Sequence, residues 1–267
     1  MSNKEVMNMF YDEFIQNGYI VLPSVLTEDQ CKTILDEEIL PFLEQNDFFE
    51  HDESSWHDKQ MFEWGDECGA VVSNEGSSPI SYERSSWVLN NRNIVVFLNL
   101  IHGGMNWEYT GCAGNEQSLG WIHMRFPYVD KSDKWEPPIP TDGWHVDGDP
   151  TSVYTKNSVV MLPFITDVNP GGGGTAVIPG SHKLMYGFMH GRSELSVSQK
   201  MRGFIRSTAS QSMYPVPSYL NGSKATEVTG KAGSVLIMHP LLIHSSSNVC
   251  NTQPMRYTFN IATQWRT

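Results

Sequence analysis

A mainly β fold with flanking α-helices is what the sequence predicts, on three observations. From about residue 119 the chain breaks into short β-rich segments, LGWIHMRFP, SVVMLPFITD, TAVIPG, ATEVTG, GSVLIMH and MRYTFNIATQW, separated by Gly, Pro and Asn. Short strands punctuated by turn residues are the pattern of an antiparallel sandwich or barrel. Before that point apolar residues recur at helical spacing instead. Finally, 267 residues with 39% hydrophobic and 11% aromatic side chains suffice to bury one sizeable core, which suits a single β domain with added helices. The expected organisation is one domain over 1–267, with helices in about 1–110 and a jelly-roll core over about 119–267.

The elements follow in order. EVMNMFYDEFIQN (5–17) has apolar groups on one helical face, and Gly18 stops it. YIVLP (19–23) is a short strand. Thr27-Glu28-Asp29-Gln30 is a capping box, with a Thr N-cap and Gln three residues on; it opens a helix carrying Cys31, Ile34, Leu35 and Ile39. Residues 46–90 are rich in Asp, Glu, Ser, Trp and Gly and show no period that assigns them. Trp56, Trp64, Trp87 and, further on, Trp107 suit either a lid or ordinary packing. NIVVFLNLIHG (93–103) reads as a buried helix, and its apolar run is too short to span a bilayer. Between 180 and 225 a helical or irregular insert interrupts the strands.

The formal net charge is −12. An acidic chain repels phosphate backbones, which excludes nucleic acid as an expected partner. Cys31, Cys68, Cys112 and Cys250 are widely spaced with no CxxC pair, the usage of reduced thiols in a cytoplasmic protein. The opening residues, MSNKEVMNMFYDEF, hold no apolar run of signal-peptide length, and no membrane association is expected. The glycines at 171–174 lie between two strands with no GK[ST] after them, so they read as a turn and not as a phosphate loop. His182, just beyond, reads as structural.

The stretch GWHVDGDPTSV (143–153) carries chemistry. If 144–147 is extended, side chains alternate, so His145 and Asp147 share a face while Val146 enters apolar packing. One imidazole and one carboxylate so placed can occupy two adjacent positions on a divalent metal; the bland alternative is a polar loop. A third ligand would come from GSVLIMHPLLIHSSSN (233–248), which offers His239 and His244. Two His and one carboxylate form the facial triad of non-haem Fe(II) oxygenases, which leaves three metal positions open. Arg256 follows 12 residues after His244 in MRYTFNI, on a face shared with Thr258 and Asn260. An arginine among Tyr, Phe and Ile is costly to bury without an anion, and a carboxylate is its natural bidentate partner. In IHMRFP (122–127), His123 and Arg125 share one strand face, either an exposed polar face or the wall of a cavity. Trp144 and Phe164 fit either cavity or core.

FIQNGYIVLPSVLTEDQ, WHVDGD, NPGGGGTAVIPGSHK and GSVLIMHPLLIHSSSN followed by PMRYTF, in this order over nearly the whole chain, resemble the phytanoyl-CoA dioxygenase family of Fe(II)/2-oxoglutarate oxygenases. The resemblance implies a double-stranded β-helix (jelly roll, cupin-like) core. It implies His145, Asp147 and His244 as iron ligands, with His244 chosen over His239 by the pattern H-x-x-x-N and the arginine a dozen residues later. It implies Arg256 on the distal carboxylate of 2-oxoglutarate. Acyl-CoA-oxidising members carry a tryptophan on the strand after HxD; Leu162 stands at about that place here, which points away from acyl-CoA. The family also includes natural-product tailoring enzymes.

The function expected is therefore oxidation of a small-molecule metabolite, by hydroxylation with or without later dealkylation or fragment loss, coupled to release of succinate and CO2. The cofactors are Fe(II), 2-oxoglutarate and O2, with ascorbate as the reductant in vitro. His145, Asp147 and His244 are the catalytic and metal-binding residues; Arg256, Thr258, Arg125 and His123 are the cofactor-binding ones. The enzyme is expected to be a monomer or homodimer. The alternatives are a non-catalytic jelly-roll binding protein that retains a metal, and a cupin-type metal enzyme that does not use oxoglutarate.

Overall fold

The computed structural model describes residues 3–56, 62–66, 69–72, 79–110, 121–127, 135–138, 143–147, 159–190, 204–205, 208, 224–247 and 255–265. Helix α1 (Asn3–Asn17) ends at Gly18, whose φ of +82° only glycine adopts without strain and whose N–H donates to Phe14 O at 2.7 Å. The capping box forms as expected: Gln30 N–H donates to Thr27 Oγ1 (3.1 Å) and Thr27 N–H to Gln30 Oε1 (2.9 Å). It opens α2 (Glu28–Ile34), which runs through a π-helical stretch (Leu35–Ile39) into α3 (Leu40–Glu44). α4 (Tyr82–Leu89) and α5 (Arg92–His102) follow, α5 burying Ile94, Phe97 and Leu98 and closing on left-handed Gly103. α1 and α5 meet edge-on through Phe14 and Phe97, 5.6 Å between centroids. Among the described residues no helix is long and apolar enough to cross a membrane.

The β part has a major and a minor sheet plus a short ladder, all paired antiparallel. The major sheet takes β1 (Tyr19–Leu22), β9 (Val235–Met238), β6 (Val159–Pro163), β12 (Ile261–Trp265) and β4 (Trp107–Thr110), in that order. β6 and β9 are buried throughout. Strand alternation divides their side chains: Val159, Met161, Val235 and Ile237 join the helices in the main core, while Val160, Leu162, Leu236 and Met238 face the other way. The second sheet is ordered β11 (Arg256–Phe259), β5 (Ile122–Arg125), β3 (Gly69–Val72), β2 (Phe62–Asp66). The ladder β10 (His244–Ser245), β7 (Ala176–Val177), β8 (Thr226–Glu227) leads toward α6 (Ser181–His190). A bridge between Phe164 and Thr258 ties the two larger sheets together. Among the described residues these sheets do not close into a barrel, but the jelly-roll expectation for the core holds.

The division into helices and then strands needs correction. Besides β1, an expected strand, β2, β3 and β4 lie in the first 110 residues, and β3 pairs directly with β5. Residues 62–72 carry Gly65, Asp66 and Gly69, so their strand character comes from the partner strand and not from their own pattern. Trp56, Trp87 and Trp107 pack rather than form a lid. Trp56 stacks on Phe126 at 5.3 Å, Trp107 Nε1 donates to Asn99 Oδ1 at 2.8 Å, and Trp87 lies under the Arg84 guanidinium at 4.5 Å. The Trp64 side chain lies outside the described residues, as do Cys68, Cys112 and Cys250. Cys31 is a free, buried thiol, pushed by burial up to about 11.

His182 and His239 meet where α1 docks, their ring centroids 5.1 Å apart. His182 Nε2 bonds Ile15 O (3.2 Å), and His239 Nδ1 accepts the Leu241 N–H (3.0 Å). Burial pulls both imidazoles down to about 4, with Lys183 adding to the effect on His182 and His182 adding to that on His239. The unfolded chain takes up these protons near pH 6.5, the folded one only near pH 4. Their contribution is thus complete above pH 6.5 and drains away as the pH falls to about 4, costing about 2 kcal/mol per histidine at pH 5. Urea unfolding at pH 7 and pH 5 should show this loss, and His239→Asn, which keeps an acceptor near Leu241, should recover about half of it.

Candidate metal centre

Trp144 fixes the start of the site. Its ring is buried with Ile178, Leu241 and Ile243, and its Nε1–H donates to Pro138 O at 3.2 Å. Trp144 is therefore core, not cavity, as is Phe164, against which Gly230 packs. Val146 joins the same apolar cluster as Trp144. The next residue after Trp144, His145, forms a two-bond antiparallel bridge with His244: each N–H donates to the other's carbonyl at 2.9 Å. Directly opposed residues project to one side of a ladder, so the two imidazoles lie together, 4.3 Å between centroids. Asp147, two residues on, points the same way. Its Oδ1 is 3.5 Å from His145 Nε2 and its Oδ2 3.5 Å from His244 Nε2, and one donor atom from each residue lies within 4.8 Å of the other two.

The ring tautomers are set by the backbone. His145 Nδ1–H donates to Gly143 O (2.6 Å) and His244 Nδ1–H to Leu242 O (2.9 Å). Both Nε2 lone pairs are left to converge beside the carboxylate, the arrangement that orients metal-binding imidazoles. Gly143 has φ +69°, and a Cβ there would lie 2.8 Å from Ser245 Oγ, so glycine is required for its carbonyl to reach the ring. The His244 side chain is 9% exposed and that of His145 53%; the site has a dry wall and an open mouth. Two imidazoles and a carboxylate gathered on one side are the donor set that would fit iron(II). His239 stands apart, beneath α1 with His182 and Phe14.

A cavity of about 100 Å³ opens between the sheets beside this cluster. β11 and β5 pair with Arg256 opposite Arg125 and Thr258 opposite His123, so all four share one sheet face, and all four line the cavity with the three candidate ligands. The even choice that the sequence left for His123 and Arg125 thus resolves to cavity wall. Arg256 is 5% exposed and its Nε has no hydrogen-bond partner. Burial, then the Arg125 charge, pulls its guanidinium down to about 9, which still leaves it cationic at neutral pH. His123 is buried, its Nε2 is unpartnered, and burial followed by the two arginines takes it down to about 3, so it is a neutral imidazole. Leu162, Val160 and Met238 form the apolar wall. Sequence reasoning missed Gly69: a Cβ there would strike the Arg125 guanidinium and Met124 O, so glycine in β3 makes the room that Arg125 occupies. Its flag in the sequence was a glycine inside a short β-prone run, GAVV.

Such a cluster, in a cavity between antiparallel sheets, is the donor set that would suit a mononuclear non-haem metal centre on a jelly-roll core. Residues 129–257 match the family model of phytanoyl-CoA dioxygenase (PhyH), and over that stretch the chain is similar to this family. Solved structures share the fold. The epimerase SnoN, in complex with Fe3+, alpha ketoglutarate and nogalamycin RO, is 14% identical, with 99% of this chain and 88% of that chain covered at a TM-score of 0.59. AviO1 from Streptomyces viridochromogenes Tue57 is 15% identical, covering 97% and 94% at 0.56. HygX from Streptomyces hygroscopicus, with nickel and 2-oxoglutarate bound, is 14% identical, covering 99% and 87% at 0.51. No curated protein matches the chain in sequence.

Proposed function

We propose that the protein is an Fe(II)/2-oxoglutarate-dependent dioxygenase that oxidises a small-molecule metabolite in natural-product tailoring. Its reaction is hydroxylation, followed by dealkylation or fragment loss where the attacked carbon bears nitrogen or oxygen, with succinate and CO2 released. One observation carries the reading: the His145–His244 bridge turns two Nε2 atoms and the Asp147 carboxylate into the cavity that holds the buried cation Arg256. His145, Asp147 and His244 would hold iron. Arg256, with the Thr258 hydroxyl beside it, would pair with the distal carboxylate of oxoglutarate, and His123 and Arg125 would contact the same co-substrate. When bound, iron with oxoglutarate and O2 supplies the oxidant; the chain orients the co-substrate and shields the cavity with Val160, Leu162 and Met238. The whole chain acts as one domain, because β1 and β4 complete the sheet of β6, β9 and β12.

Turnover tests this. With Fe(II), O2 and ascorbate, oxoglutarate should convert to succinate, and a metabolite screen read by succinate release should find the substrate. The product should gain one oxygen labelled from ¹⁸O2, or lose an alkyl fragment. Asp147 would supply the carboxylate at the place a halide would otherwise take, so saturating bromide should give no halogenated product. Iron binding without succinate formation would favour the metal-retaining binding protein instead.

A further inference from the structure

The glycines at 171–174 do form a turn, but a built one. Glu227, on β8, lies across it: Gly171 N–H donates to Oε2 at 2.7 Å and Gly174 N–H to Oε1 at 2.9 Å. The Gly173 N–H also acts on this carboxylate. Amides that converge in such a loop form a nest for an anion; here the anion is a side chain of the protein itself. Gly174 tolerates no Cβ, which would strike Val228 O and come within 2.9 Å of Glu227 Cγ. Its carbonyl accepts the Ser247 hydroxyl.

The loop matters because of where it leads. Gly173 and Thr175 line the cavity with Arg256. The next residues are β7, where Ala176 pairs with Glu227 and Val177 with His244. Glu227 thus stands in one short ladder with a candidate iron ligand, and its charge acts on the Arg256 guanidinium. We propose that Glu227 is a positioning residue of the oxoglutarate pocket: it folds the glycine loop around its carboxylate, so that Gly173 and Thr175 form the cavity wall beside Arg256. This rests on the reading that Arg256 receives oxoglutarate.

Two measurements on the full chain test it, with Arg256→Ala as a control. Hydrogen exchange of the 169–176 amides in the ligand-free protein reads the loop; calorimetric titration of oxoglutarate into the Ni(II)-loaded protein reads the pocket. Loss of a charge-assisted hydrogen bond should speed loop exchange in Glu227→Ala by roughly 10-fold or more, and weaken oxoglutarate by about 10-fold. Ni(II) affinity should stay the same. Glu227→Gln, which keeps one acceptor and the shape, should fall between. In turnover the KM for oxoglutarate should rise while kcat at saturation stays within about 3-fold, a split that general destabilisation does not produce. Wild-type loop exchange, or a loosened loop with unchanged oxoglutarate affinity while Arg256→Ala weakens it, overturns the proposal. If Arg256→Ala leaves affinity unchanged, the oxoglutarate reading is what fails, and with it the pocket role of Glu227; loop exchange then reports only its hold on the turn.

Discussion

Arg256→Ala should weaken oxoglutarate binding by a factor of roughly 30 to several thousand, the equivalent of about 2–5 kcal/mol for truncating one partner of a buried, hydrogen-bonded charge pair. Arg256 is 5% exposed, so water screens its charge little. Arg125 sits directly across the strand pair and survives the substitution, which should hold the effect toward the lower end of that range. Titration of oxoglutarate into the metal-loaded variant measures it. Metal affinity should be unchanged, because Arg256 is not among the converging donors. An unaltered oxoglutarate affinity would sink the assignment.

The second large effect concerns the metal. His145→Ala, Asp147→Ala and His244→Ala should each lower Fe(II) affinity by more than about 100-fold, beyond what loss of an outer hydrogen-bond partner costs, and abolish turnover. His239→Ala should keep its metal, since that ring lies against His182 under α1. Metal content after anaerobic loading and desalting distinguishes them. Iron retained by His244→Ala and lost by His239→Ala would show that the wrong histidine had been chosen.

These residues were legible in the sequence because the signals were local. His145 and Asp147 need only an extended backbone to share a face, and Arg256 and Thr258 needed only the same alternation. Choosing between His239 and His244 was not local, and rested on family resemblance; the physical reason appears only in the fold, where the turn after β9 sends His239 back to Gly18 O and leaves His244 to bridge His145. The strands at 62–72 were illegible for a related reason. Their glycines and acids have little strand preference of their own, and β5 supplies the order. Glu227 was equally silent, since nothing in ATEVTG says that a glycine loop more than fifty residues earlier will close on its carboxylate.

The His145–His244 bridge has one more consequence. Among the described residues, two backbone hydrogen bonds join strand segments about a hundred residues apart. A cation held by both rings would act as a clasp across that long loop of chain, and ligands that bind only the folded form stabilise it in proportion to their free concentration. Iron would then serve as mortar as well as reagent, and the mouth of the cavity would be the part of the molecule whose firmness depends on metal supply.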